Sequence, residues 1–173
     1  MIQLTYEPAF DPLHAMYRAL RLRDGTAADL RVPRDMFRIL DFYLLFPERL
    51  QNMRFRQDHR RLKTLALATK RAPSYGPRPE DPVLFERMRP FQDAAVDTLA
   101  LHYYFSPEAL ADGWVESEPT DVSPDLGEKI RSANEKEVGL MVALRTIAAE
   151  YPLEGPNGLK DRSGLLEHRY DAV

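Results

Sequence analysis

The sequence predicts a mainly α fold with a small β wing. Three observations carry that prediction. Apolar residues recur at helical spacing over most of the chain, as in Leu13, Met16, Tyr17 and Leu20. Proline and capping residues stand where helices should begin, at Asp11-Pro12, Pro33-Arg34-Asp35, Asp81-Pro82 and Ser106-Pro107-Glu108. The strand signal is confined to Trp114-Val115-Glu116-Ser117-Glu118 and the turn-rich stretch after it.

The first helix begins at Asp11, and Gly25 marks its end. Arg18, Arg21 and Arg23 lie largely off its apolar face. A second helix starts near Pro33. Met36, Phe37, Ile39, Leu40, Tyr43 and Leu44 make it apolar over most of its circumference, which places it at the centre of a core or an interface. Pro47 blocks its continuation or opens a short helix through Leu50 and Met53.

Residues 54–69 form a third helix with a weak apolar stripe and a strong basic face. Ala72 to Pro79 holds three prolines in eight residues and reads as a linker or exposed loop. The next helix opens at Asp81 and is expected to break at Pro90, where another begins and runs to about Tyr103. A short helix from Ser106 closes at Gly113. The strand signal follows, then one long helix over about 125–150, ended by Pro152. The tail from Gly155 keeps leucines and an aromatic, so it should dock. Helix, proline-entered helix, short helix and strand pair are the order of a winged helix. The fold expected is therefore a winged-helix-like core with N-terminal helices and a docked C-terminal tail. It is read as a single domain, 1–173, with a basic helical part over 1–71, a winged-helix-like part over 80–152 and a strap over 153–173.

Composition excludes some chemistry. The 173 residues include no cysteine, which removes disulfide frameworks, cysteine nucleophiles and Cys-type zinc sites. The histidines, His14, His59, His102 and His168, fall on different segments with no metal-ligand spacing. No phosphate-binding glycine loop occurs; Gly158-Leu159-Lys160 lacks the upstream glycines. No catalytic residue, cofactor or metal is expected. The run Phe42-Tyr43-Leu44-Leu45-Phe46 spans five apolar residues, against the roughly 20 a membrane span needs. With no leader segment visible at Met1, a cytoplasmic location and no membrane contact are expected.

Charge is unevenly distributed. The net charge of −3 splits into 14 Lys and Arg against 8 Asp and Glu before residue 72, and 10 against 19 after it. The segment Arg49–Arg71 concentrates the basic part, with Arg54, Arg56, Arg60, Arg61 and Lys63 as the candidate face for DNA or an acidic partner. A plain solvated face, or pairing with acids of the second half, explains the same pattern. Residues 108–125 carry Glu108, Asp112, Glu116, Glu118, Asp121 and Asp125, with Asp97 on the preceding helix and no Lys or Arg among them. A recognition helix and wing so acidic would repel phosphates. In the tail, Leu159, Arg162, Leu165, Leu166 and Tyr170 either strap the chain's own core or dock into a partner.

Three stretches resemble a known family: Phe10-Asp11-Pro12-Leu13-His14, Arg38 to Pro47, and Gly158-Leu159-Lys160-Asp161-Arg162-Ser163-Gly164-Leu165. Arg87-Met88-Arg89-Pro90-Phe91-Gln92-Asp93-Ala94-Ala95 adds to them. Together they resemble the middle component of bacterial ABC-three-component systems, a group that includes the small accessory subunit of Lamassu-type anti-phage and anti-plasmid defence. The resemblance implies a winged-helix accessory subunit that ties an SMC-like ABC ATPase to an effector and meets DNA through that complex. The ATP chemistry and the toxic activity would then belong to the partners. The alternative is a stand-alone winged-helix DNA-binding regulator, and a third reading is an enzyme of undefined class.

Overall fold

The computed structural model describes residues 7–26, 29–69 and 79–166. It is mostly helical. In chain order the elements are α1 (Pro12–Thr26), β1 (Arg31–Pro33), α2 (Arg34–Leu45), α3 (Arg60–Leu67), α4 (Asp81–Leu101), α5 (Pro107–Ala111), β2 (Trp114–Glu116), α6 (Pro124–Lys136), α7 (Val138–Glu150) and α8 (Leu159–Ser163). Short 3-10 turns cover Pro8–Phe10, Pro47–Asn52 and Gln57–His59. The expected linker lies outside the described residues except for Pro79.

Local signals set the helix starts. The Asp11 carboxylate accepts the backbone N–H groups of Leu13 and His14, at 2.8 and 3.1 Å. The Ser106 hydroxyl accepts the Ala109 N–H at 3.2 Å. Each satisfies donors that a helix start leaves without intrahelical partners. The wide apolar helix, α2, is the centre of the core. Its positions 36–44 are all buried, and it packs on α1, α4 and α7.

The β wing is built differently from the expected hairpin. β2 does form at Trp114, but its antiparallel partner is β1, which precedes α2. Arg31 pairs with Glu116, Val32 with Val115 and Pro33 with Trp114. No strand was expected at Arg31–Pro33, since three residues are too short to show periodicity. The chain that continues from β2 adds a single bridge, Phe105 to Ser117, among the described residues.

Three helix boundaries differ from those expected. α3 begins at Arg60, after the 3-10 turn Gln57–His59, instead of near residue 54. The N–H groups of Arg54 and Arg56 go to the Arg162 carbonyl and the Tyr151 hydroxyl instead of to helical partners. α4 runs through Pro90 unbroken. Proline removes one N–H bond, but Leu84, Phe85 and Met88 before it and Gln92, Val96 and Leu99 after it are all buried, while Pro90 is exposed. Burial on both flanks holds the helix together. The long final helix is instead two, α6 and α7, divided at Glu137, whose φ and ψ are −116° and 35°. The division lets the two halves diverge. α6 packs on α1, and α7 packs on α1, α2 and α3. Gly139, just past the break, lies against the α3 backbone: a Cβ there would stand 2.9 Å from the Leu65 carbonyl oxygen.

Arg18 and Arg21, expected off the apolar face, are buried at 1% and 6% exposure. Arg18 forms a two-pronged pair with Asp41 of α2, at 2.6 and 2.9 Å. It also donates to the Pro8 carbonyl and to His14 Nδ1. A guanidinium has no acceptor atom, so Nδ1 accepts. Gln92 of α4 donates to Asp41 and to the Arg38 carbonyl, and accepts from Arg38 Nε. The result is a buried polar knot joining α1, α2 and α4. Arg38 also lies over the Phe85 ring, 4.5 Å from its centroid. Three of the quoted sequence stretches supply its members other than Arg18: His14, Arg38 with Asp41, and Gln92.

Candidate interaction surface

The basic segment that follows α2 meets the C-terminal strap at the end of α7. The 3-10 turn after Pro47 and the extended residues that follow carry Arg54 and Arg56 outward, and α3 carries Arg60, Arg61 and Lys63. The strap returns from α7 through a turn at Gly155–Gly158 into α8, which Gly164 ends in the left-handed region at φ 67°.

Backbone and side chains join the two segments. The Arg54 N–H donates to the Arg162 carbonyl at 3.0 Å. Arg162 returns a bond to the Arg54 carbonyl at 2.8 Å, and its Nε donates to the Asn157 carbonyl at 2.6 Å. The Arg54 guanidinium pairs with Asp161 at 2.8 Å. The Asp161 carboxyl is held below the usual carboxylate range, first by the Asn157 N–H and then by the Arg54 bond and charge. Burial opposes the charge of Lys160, but hydrogen bonding to Glu154 and the charges of Asp35 and Glu154 outweigh it and raise the ammonium's value.

Tyr151 is the platform under this junction. Its hydroxyl accepts the Arg56 N–H at 3.0 Å and shares a 3.0 Å hydrogen bond with His59 Nδ1. The Arg56 and Arg162 guanidinium groups lie over its ring, at 5.9 and 5.6 Å from the centroid. His59 Nε2 is 3.3 Å from the Glu150 carboxylate, and Arg56 pairs with Asp58 at 2.9 Å. Sequence reasoning passed over Tyr151. Its only signal was an aromatic residue at a helix exit, just before Pro152.

The predicted residues thus divide. Lys63 donates to the carbonyls of Gln51 and Met53. Arg54, Arg56 and Lys63 therefore bind the protein to itself. Arg60 and Arg61 are exposed, and among the described residues their guanidinium groups have no ion pair or hydrogen bond. In the strap, Leu159 and Leu165 are buried in the chain's own core, and Leu166 is half-buried against it. Tyr170 and His168 lie outside the described residues. An open groove of about 340 Å³ runs along the junction, lined by Asn52, Arg54, Lys160, Arg162 and Ser163 among others.

Folding brings the basic and acidic halves together. Arg21 pairs with Glu137 at 2.8 Å, Arg31 with Glu116 at 3.3 Å, and Arg34 with Asp93 at 3.0 Å and Asp97 at 2.9 Å. Arg49 pairs with Asp81, whose negative charge, after burial itself, helps push the Tyr43 phenol far above its ordinary value. On the acidic stretch, Glu108, Asp112, Asp121 and Asp125 are exposed. Among the described residues, no group of three or more His, Asp or Glu is arranged to hold a metal, and no helix is long and apolar enough to cross a membrane.

Fold and surface together define the class: a mainly α protein with a two-stranded β clasp, whose cationic segment is stitched to its own C-terminal strap. The family model of the ABC-three component (ABC-3C) system Middle Component 5 matches residues 4–171, and the chain belongs to that family. It is thereby a component of a multi-component system. No curated protein and no solved structure matches it.

Proposed function

We propose that the chain is a non-catalytic accessory subunit that links an SMC-like ABC ATPase to an effector in a bacterial anti-phage or anti-plasmid defence complex of the Lamassu type. The observation that carries this reading is membership of a middle-component family across residues 4–171. A component named for its place in a system has partners by definition. The resemblance to winged-helix accessory subunits supplies the kind of partner.

The cationic segment fits an adaptor. Three of the five candidate cations, Arg54, Arg56 and Lys63, serve internal stitching. Arg60 and Arg61 are left to meet a partner surface, or DNA held by the ATPase. The exposed acids from Glu108 to Asp125 offer a second, oppositely charged side. Contacts on two sides of unlike charge suit a subunit placed between two others.

The test is co-expression of the chain with the other two components of its system, followed by affinity purification and size-exclusion chromatography. A stable complex containing the ATPase is expected. Elution of the chain alone at physiological salt would remove this reading.

A further inference from the structure

α3 and α7 lie side by side and antiparallel. At one end His59 reaches Glu150. At the other, Leu65 abuts Gly139. Helical spacing puts Val138, Val142, Arg145 and Ala149 on one side of α7. Val138 is 61% exposed, Arg145 and Ala149 are exposed, and Val142 is half-buried. On α3, Arg60, Arg61 and Leu65 are exposed, Leu65 to 51%. The pair therefore presents an apolar strip, Leu65 with Val138 and Val142, among three arginines.

Nothing among the described residues compensates the charges of this face. Among the described residues, Arg60, Arg61 and Arg145 have no ion pair or side-chain hydrogen bond. α3 contains no acidic residue, and the one acid of α7, Glu150, faces Arg56 and His59 at the edge. Leaving leucine and valine in water costs free energy that a covering apolar surface would recover. Phosphates would satisfy the arginines but give the strip nothing.

We propose that the α3–α7 face is the docking site for an acidic amphipathic helix carried by another component of the same system. The inference rests on the accessory-subunit reading and adds where the contact is made. Two antiparallel helices form a shallow groove that takes the apolar stripe of a third helix. Carboxylates flanking that stripe meet Arg61, one turn from Leu65, on one side and Arg145 on the other. α7 spans 13 residues, which at about 1.5 Å per residue gives a face some 20 Å long, enough for about three turns of a docked helix.

The experiment uses the full chain co-expressed with the two other components. Two double variants are compared with wild type, Leu65→Asp/Val138→Asp and Arg61→Glu/Arg145→Glu, with Arg87→Glu, at an exposed position of α4, as a control. Each double variant is expected to retain at least tenfold less of one partner component, with an unchanged thermal melt, while Arg87→Glu retains it. The conservative pair Leu65→Met/Val138→Ile should also retain it, which separates docking from folding. If both double variants retain the partner at wild-type levels, the face is not the site and the accessory reading survives. If wild type retains neither component, the accessory reading falls and this inference with it. If the arginine variants lose a 30-base-pair duplex at low salt and keep the partner, the face binds DNA and the proposal is overturned.

Discussion

Arg18 and Arg61 are both arginines on amphipathic helices of the basic half, yet their surroundings are opposite. Arg18 is 1% exposed, held by two prongs of Asp41 and by the Pro8 carbonyl. Arg61 is exposed, with no ion pair among the described residues. The difference lies in what the neighbouring elements supply. α2 and α4 place a carboxylate and an amide where Arg18 can use them, and the low-dielectric surroundings make that bonding strong. Among the described residues, none places such a group against Arg61. Inside, arginine fixes how three helices pack. Outside, arginine either stitches neighbouring segments, as Arg54 does to Asp161, or stands in solvent, as Arg61 does.

Substitutions on the two sides should separate this contrast. The largest effect is expected from Asp41→Ala, which strands the Arg18 guanidinium in the core. Loss of one partner of a buried pair costs about 3–5 kcal/mol, and urea denaturation should show it. A midpoint equal to that of Arg61→Ala would break the comparison. Leu159→Ala comes next. It removes the buried anchor of the strap, and a loss of about 3 kcal/mol is expected from the cavity it leaves. The same denaturation series reads it.

Tyr151→Phe is subtler. It deletes the hydroxyl that accepts the Arg56 N–H, at about 1 kcal/mol. Hydrogen exchange at Arg56 should quicken more than exchange in α2. Acid should loosen the strap by way of Asp161. Its folded value lies below the ordinary Asp value of about 3.9, so its contribution is present above that value. The contribution is lost as pH falls through the lowered one. Protection of residues 157–162, taken relative to the intrinsic exchange rate at each pH, should therefore fall on acidification below about pH 4, and Asp161→Asn should abolish that loss of protection. The smallest change in stability belongs to Arg60→Ala/Arg61→Ala, within about 0.5 kcal/mol. Association with a partner component is the property that pair should lose.

Much of the fold was legible in the sequence. Asp11 and Ser106 announced their helices because a capping side chain acts within one turn of itself. The breadth of the apolar surface on Met36–Leu44 announced the core helix for the same reason: period and burial are local patterns. The basic segment was legible as composition, and the family as a set of short stretches. The fate of each charge was not legible. Arg54 meets Asp161 from over 100 residues away, and Arg21 meets Glu137 from farther still.

The sequence by itself determined where α1, α2, α4, α5 and α6 start, which helix is central, and the family to which the chain belongs. Tertiary structure alone decided that β2 pairs with β1, that α4 runs through Pro90, and that α6 and α7 part at Glu137. It also decided which arginines are buried and which are exposed. Pairing, burial and charge compensation depend on groups brought together from distant positions, and no periodicity within one segment records what another segment will place beside it.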